Sequence, residues 1–137
     1  MRKFSEMLTV FFIGAVGYTA VELLWRGYSH WTMALTGGMC FLCIYLTELH
    51  FTSEPLWKKC LVGSLVITEA ELMVGFVVNI LLAWNVWDYS DRPIHLFGQI
   101  CPLYSVLWFL LCIPCIWLCR LLRHFAERYA APEPRTV

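Results

Sequence analysis

Two carboxylates, Glu69 and Glu71, lie inside the third apolar stretch of this chain. An acid at the middle of a bilayer costs about 2.5–3.5 kcal/mol on insertion scales, so it usually faces a bundle interior or a wet cavity. At about 1.5 Å per residue, Glu71 lies roughly 16 Å into the stretch, near the midplane. Helical residues two apart do not share a face. Glu71 is either a proton or cation site or the acceptor of an interhelical hydrogen bond, and Glu69 is a second candidate.

A third acid, Glu22, lies about one turn before the end of the first apolar stretch. Arg26 follows it at i+4, the spacing at which opposite charges pair on a helix. Glu22 is therefore either an interfacial acid paired with Arg26 or a cation-facing acid at the mouth of an outer cavity.

A polar string follows the third stretch and reads Trp87-Asp88-Tyr89-Ser90. Asp and Ser side chains bond to nearby backbone in turns, so the string predicts a rigid turn in which Trp87 is structural. Asn79 lies near the end of the third stretch, in the half closest to this string, where its side chain could bond to the loop. We take Asn79, Asp88, Tyr89 and Ser90, with the three glutamates, as candidate substrate-binding residues.

The seven cysteines are odd in number and fall mostly inside apolar stretches. The string Cys112-x2-Cys115-x3-Cys119 has metal-like spacing, but zinc ligands usually come from turns rather than from an apolar helix. We interpret the cysteines as small apolar side chains and predict no metal and no cofactor.

The elements that must position these groups are four apolar stretches. The chain has 137 residues, of which 60% are hydrophobic and 15% charged, and a soluble domain of this size could not bury so much apolar surface. Each stretch is long enough to cross a hydrocarbon core of about 30 Å as a helix. They run from about Met7 to Trp25, Trp31 to Thr47, Cys60 to Trp84 and Leu96 to Leu121. The fold class predicted is an all-α membrane protein with four transmembrane helices.

Residues 1–125 are expected to form one transmembrane domain, and residues 126–137 a disordered cytoplasmic tail. Eight of the ten basic residues fall on one side of a four-span arrangement, which the positive-inside rule assigns to the cytoplasm. Only Arg26 and Arg92 fall on the other side. Both termini are thus predicted to be cytoplasmic, with lipid as the main surroundings. The net charge of zero argues against a nucleic-acid partner.

The two halves of the chain, about 7–47 and 60–121, resemble each other at an offset of 61 residues, as in Tyr28-Ser29 and Tyr89-Ser90. An offset that crosses two spans predicts a parallel repeat of two helical hairpins. Chance similarity between apolar segments is the alternative. The repeat would place four glycines where they permit close helix approach: Gly14, Gly37, Gly75 and Gly98.

Residues 86–108 read VWDYSDRPIHLFGQICPLYSVLW, in which Trp-Asp-Tyr-Ser precedes a Pro, a Gly, a Cys and a Ser-x-x-Trp. This segment resembles the signature of the bacterial family called putative ABC-transporter type IV. The first-helix pattern Gly14-x2-Gly17-x4-Glu22 is similar to that family too, whereas His95 stands where the family pattern has Asn. The resemblance implies a multi-span transporter component in a bacterial inner membrane. The chain holds no P-loop string, so an ATPase would be a separate subunit.

Three functions fit these observations. The first is a permease-like transporter component, working as a homo-oligomer or in a hetero-complex, with an outer-facing polar cavity lined by Glu22 and Glu71. The second is a membrane scaffold or regulatory subunit. The third, an enzyme acting on a lipid or quinone, ranks last because no His-rich or Ser-His-Asp pattern supports it.

Overall fold

The computed structural model describes residues 2–129, which form four α-helices. They are α1 (Arg2–Arg26), α2 (Trp31–His50), α3 (Leu56–Gly75) and α4 (Pro102–Tyr129), and a π-helical segment, Phe76–Leu81, continues α3. All four are long and apolar enough to cross a membrane. Between residues 2 and 129 there is no strand, only an isolated bridge between Leu96 and Ile100. The all-α, four-helix fold class is therefore confirmed.

The first hairpin, α1 and α2, is joined by a short turn. Gly27 has a φ of 78° and donates its N–H to the Leu23 carbonyl at 2.9 Å, which ends α1 in the left-handed conformation that glycine adopts easily. His30 then caps α2, and its Nδ1 accepts from the backbone N–H of Thr32 at 3.4 Å. Four residues suffice for the reversal, so α1 and α2 are antiparallel neighbours.

Close contact between α1 and α2 depends on glycine. A methyl group at Gly14 would collide with Phe41 of α2, and one at Gly37 would collide with Tyr18 of α1. Both glycines therefore lie where the two helices approach each other closely.

The second hairpin differs from its prediction at the start of the last helix. The fourth stretch was expected to begin at Leu96, but α4 begins at Pro102. Proline is favoured at the first helical position and disfavours helix in the residue before it, so it starts α4 rather than kinking it. Pro114 lies inside α4, which continues through it.

The long loop 82–101 folds against the end of α3. Gly98 lies in this loop with a φ of 67°, close to Asp88 and Ser90, so the expectation that it permits helix–helix contact is wrong. Gly75 likewise faces Trp87 and Gln99 of the loop rather than another helix. The glycines allow the loop to pack tightly. The repeat pairs Gly37 with Gly98, 61 residues later, but Gly37 lies in α2 and Gly98 in a loop. The tandem repeat therefore stays a sequence prediction.

The opposite end of the bundle, which we call the basic end, is held by buried charges. The fully buried Glu48 of α2 pairs with Lys59 of α3 at 2.8 Å and with Arg120 of α4 at 2.9 Å. Tyr45 of α2 donates its hydroxyl to Glu6 of α1. The main core lies between the helices beside this end. These contacts join all four helices at this end of the bundle.

The helix α4 continues to Tyr129, past the expected domain boundary at residue 125. The rest of the predicted tail, Ala130–Val137, lies outside the described residues.

Candidate functional site

A cleft separates α1 from α4. The helix α1 packs chiefly on α2, while α4 packs on α3 and α2, so α2 and α3 form the floor of the cleft. Two adjoining, open cavities of about 220 and 350 Å³ occupy it. Both cavities are lined by the same central group of side chains: Tyr18, Val21, Met33, Trp108 and Leu111. The lining is chiefly apolar, so polar character is confined to a few groups.

Glu71 lies on the floor of this cleft, near the middle of the apolar segment Leu56–Leu81. It is only 3% exposed. Its two carboxylate oxygens accept from different neutral donors, the Tyr89 hydroxyl at 3.1 Å and the Trp108 indole N–H at 2.9 Å. Glu71 therefore joins α3, α4 and the loop at one point.

Glu22 lines the part of the cleft nearest the loop. It is fully buried and pairs with Arg26, as the i+4 spacing predicts, and it also accepts from the Ser29 hydroxyl. Arg26 donates a further hydrogen bond to the carbonyl of Val86 at 3.2 Å. The Glu22 charge is compensated within the chain, and the pair fastens the first hairpin to the loop.

Aromatic rings form much of the outer wall of the cleft. Tyr89 stacks on Tyr104 with ring centroids 4.6 Å apart, and Trp108 lies 6.2 Å from both Tyr104 and Tyr18. Trp25 completes the wall on α1. The faces of such rings carry partial negative charge, which attracts cations.

The polar side chains of the loop mainly organise the loop itself. Asp88 accepts from both the backbone N–H of Ser90, at 2.9 Å, and its hydroxyl, at 2.6 Å. These hydrogen bonds hold the pKa of Asp88 below its usual value. Asn79 donates to Gln99 at 2.7 Å and accepts from the backbone N–H of Val86 at 2.6 Å. Its predicted bond to the loop is present.

Trp87 and Tyr89 anchor the loop to the bundle. Trp87 is buried and donates to the Gln99 carbonyl at 3.0 Å. Burial raises the pKa of the Tyr89 phenol well above its usual range, and the nearby Glu71 carboxylate adds to that shift. Tyr89 therefore remains a hydroxyl donor to Glu71.

The structure brings some of the candidate binding residues to the cleft and leaves others outside. Glu22, Glu71 and Tyr89 line it. Asn79, Asp88 and Ser90 brace the loop. Glu69 is exposed on the opposite face of α3, because two residues along a helix rotate a side chain by roughly 200°.

Sequence reasoning missed two residues that line the cleft, Tyr18 and Trp108, and one that holds the loop, Gln99. Trp108 lies one turn after Tyr104, and this i+4 spacing of aromatic residues was the available signal. Gln99 carried no comparable signal, because its role is to bond the loop to Asn79 and Trp87.

No group of three or more His, Cys, Asp or Glu side chains able to hold a metal occurs within residues 2–129. Cys112 and Cys119 are fully buried in the core, where they pack as apolar side chains.

The sequence model of one protein family, described as putative ABC-transporter type IV, matches residues 9–132. The chain belongs to this family. The match covers the cleft, the loop and all four helices, and it confirms the resemblance noted in the sequence. No curated protein and no solved structure matches the chain. Membership of the putative ABC-transporter type IV family and the four apolar helices together identify a multi-pass membrane protein.

Proposed function

We propose that this protein is a permease-like component of a membrane transporter and that solute reaches Glu71 through the cleft between α1 and α4. The protein would lie in a bacterial cytoplasmic membrane with both termini in the cytoplasm, because the basic end carries most of the Lys and Arg residues. The loop 82–101 would then face outward. The family description supports a transport role, and energy would come from a separate ATPase subunit.

One observation carries this proposal: Glu71 is a fully buried acid on the floor of an open cleft, and its partners are uncharged. A purely structural acid at this depth costs about 2.5–3.5 kcal/mol to insert, and neutral donors compensate an ionised carboxylate only in part. Intramembrane acids that face a cavity commonly mark ion or substrate pathways.

When it is ionised, Glu71 has no basic partner among its hydrogen-bond donors, which makes it the binding point for a solute or a coupling cation. Glu22 has a different role in this proposal, because Arg26 already neutralises it. The Glu22–Arg26 pair would shape the outward-facing part of the cleft and keep the loop in position.

A second candidate function, a scaffold or regulatory subunit, is favoured by Glu69. This acid is exposed on α3 between Leu65 and Met73, one turn away on either side, which are 60% and 64% exposed. No hydrogen bond or ion pair to Glu69 occurs among the described residues. A donor from a second protein chain would remove the cost of exposing this acid to lipid.

The experiment uses the two acids as a matched pair. Cells lacking the protein would be complemented with the wild type, Glu71→Gln or Glu69→Gln at equal membrane abundance, and solute distribution between cells and medium would be profiled. The wild type should shift the distribution of the transported solute relative to cells without the protein. We expect Glu71→Gln to reduce this shift by about tenfold or more, as for the loss of a group worth at least 1.4 kcal/mol. Glu69→Gln should give a shift close to that of the wild type. If Glu71→Gln restored the wild-type distribution in full, the transport proposal would be wrong. Loss of function in Glu69→Gln alone would favour the scaffold.

A further inference from the structure

We propose that the cleft binds a lipophilic organic cation, with its positive centre at Glu71 and its apolar groups against the aromatic wall. The inference rests on the proposed function, since it names the class of solute. It comes from the charge of the site, the nature of its lining and the opening of the cleft toward lipid.

The pairing of the buried acids indicates the sign of the charge that the ligand carries. Within residues 2–129 the fully buried acids are Glu22, Glu48 and Glu71. Glu22 pairs with Arg26, and Glu48 pairs with both Lys59 and Arg120. Glu71 has no basic partner in this part of the chain and accepts only from Tyr89 and Trp108. A cation would complete the charge balance, whereas an anion would meet an uncompensated like charge.

The lining argues for an organic cation rather than a metal ion. Hard cations such as Ca²⁺ need six or more oxygen ligands, or waters retained from their hydration shell. Around Glu71 the cleft offers instead the side chains of Ile67, Cys40, Leu111 and Trp108. An apolar lining favours a ligand that is itself largely apolar, because such a ligand loses little hydration on entry.

The aromatic rings supply the second element of recognition. Tyr18 and Trp108 line both cavities with ring centroids 6.2 Å apart, and Trp108 donates to Glu71. The ring of Tyr104 is less available, because it is stacked on Tyr89 and lies 5.8 Å from the Arg92 guanidinium. Aromatic faces attract quaternary ammonium and similar cations through the ring quadrupole. A buried carboxylate together with several ring faces provides both charge and shape for such a group.

The opening of the cleft fits a ligand that dissolves in the bilayer. The helices α1 and α4 do not close over the cleft, and two apolar residues that line it, Val21 of α1 and Leu107 of α4, are 43% and 38% exposed. A lipophilic cation partitions into the interfacial region of the membrane and can move sideways between the two helices. A strongly hydrated solute would have to cross apolar surface on the same route.

The test compares two probes of similar shape and opposite charge, tetraphenylphosphonium and tetraphenylborate. The full chain would be placed in lipid nanodiscs, and binding would be measured by equilibrium dialysis against empty nanodiscs, with tryptophan fluorescence as a second readout. We expect saturable binding of tetraphenylphosphonium and none of tetraphenylborate. Glu71→Gln should weaken binding by about tenfold or more, because it removes one partner of a buried charge pair. Glu69→Gln should bind within about twofold of the wild type, since that acid lies on the far face of α3.

A second variant keeps the proposal testable if the Glu71→Gln protein does not fold. Tyr18→Leu leaves Glu71 and its two donors in place and removes an aromatic ring that lines both cavities, and it should weaken phosphonium binding about threefold or more. The proposal is overturned if the wild type shows no saturable phosphonium binding, if both probes bind alike, or if a folded Glu71→Gln protein binds as the wild type does. Solute movement that depends on Glu71 without phosphonium binding would reject the solute class and leave the transport proposal standing. Phosphonium binding that depends on Glu71, in a protein that moves no solute, would reject transport and support the binding site.

Discussion

At the residue scale, the same residue type has four different roles in this chain. Glu48 is a structural acid with two basic partners, Glu22 has one basic partner, and Glu71 has only neutral ones. Glu69 lies on the outer face of α3. The number of basic partners therefore separates acids that stabilise the bundle from the acid that remains available to a ligand.

The buried ion pair between Glu48 and Lys59 at the basic end can be tested by its effect on stability. Lys59→Met should lower the free energy of unfolding by about 3 kcal/mol, the lower end of the range for breaking a buried ion pair, because Arg120 still compensates Glu48. The measurement is unfolding of the detergent-solubilised protein in increasing dodecyl sulfate, followed by circular dichroism.

Lys58→Met is the matched control, since the neighbouring Lys58 pairs with Glu54 at the surface, where its side chain is 51% exposed. It should cost at most about 1 kcal/mol. Equal losses in the two variants would show that the Glu48 pair contributes no more than a surface pair.

Sequence reasoning reached part of this residue-scale picture. It predicted Glu71 near the midplane, gave pairing with Arg26 as one of two alternatives for Glu22, and separated Glu69 from Glu71 by helix geometry. It could not decide which face of α3 is inward, because α3 is apolar on most sides and lipid accepts the same residues as the protein core. The partners of Glu48 were missed for a related reason: they join three helices whose relative rotation no local pattern sets.

At the element scale, the two hairpins are closed by different means. The α1–α2 hairpin has a short glycine turn and a close helix interface, whereas α3 and α4 are joined through the long loop 82–101. The π-helical segment Phe76–Leu81 lies where α3 meets this loop, and π-helical turns frequently occur beside functional sites. The sequence predicted the helices because long apolar stretches in lipid must be helical. It misplaced the start of α4 because the loop segment 96–101 is itself partly apolar.

The close interface of the first hairpin can be tested with two glycines inside helices, Gly37, which is buried in the interface, and Gly17, which is exposed. Gly37→Ala should destabilise the protein by about 1–3 kcal/mol, because the added methyl group meets the Cβ and ring of Tyr18 in a packed interface. Thermal unfolding in detergent would measure the loss.

Gly17→Ala is the control, because a Cβ at Gly17 would meet nothing within 4 Å. It should leave stability unchanged or raise it by up to about 1 kcal/mol through better helix propensity. A Gly37→Ala protein as stable as the Gly17→Ala protein would contradict the close packing of α1 on α2.

At the scale of the whole molecule, a tight basic end and an open cleft coexist in one bundle. Buried ion pairs and the main core hold the helices together at one end, while the loop and the Glu22–Arg26 pair organise the other. The cleft between α1 and α4 lies between these two regions, with Glu71 at its floor. This arrangement permits a ligand to reach the middle of the membrane without unfolding the bundle.

The most direct test of this account maps which acids a lipid-soluble carbodiimide modifies in membranes, with peptide mass spectrometry as the readout. A carbodiimide reacts with the protonated carboxyl group, so the reaction is run at mildly acidic pH. Gly17→Phe places a ring in the cleft and leaves the outer face of α3 unchanged. We predict that Glu71 is modified in the wild type and protected by about tenfold in Gly17→Phe, while Glu69 reacts equally in both proteins, because only Glu71 is reached through the cleft. An unreactive Glu71 beside a reactive Glu69, or a Glu71 whose modification does not change in Gly17→Phe, would contradict the account.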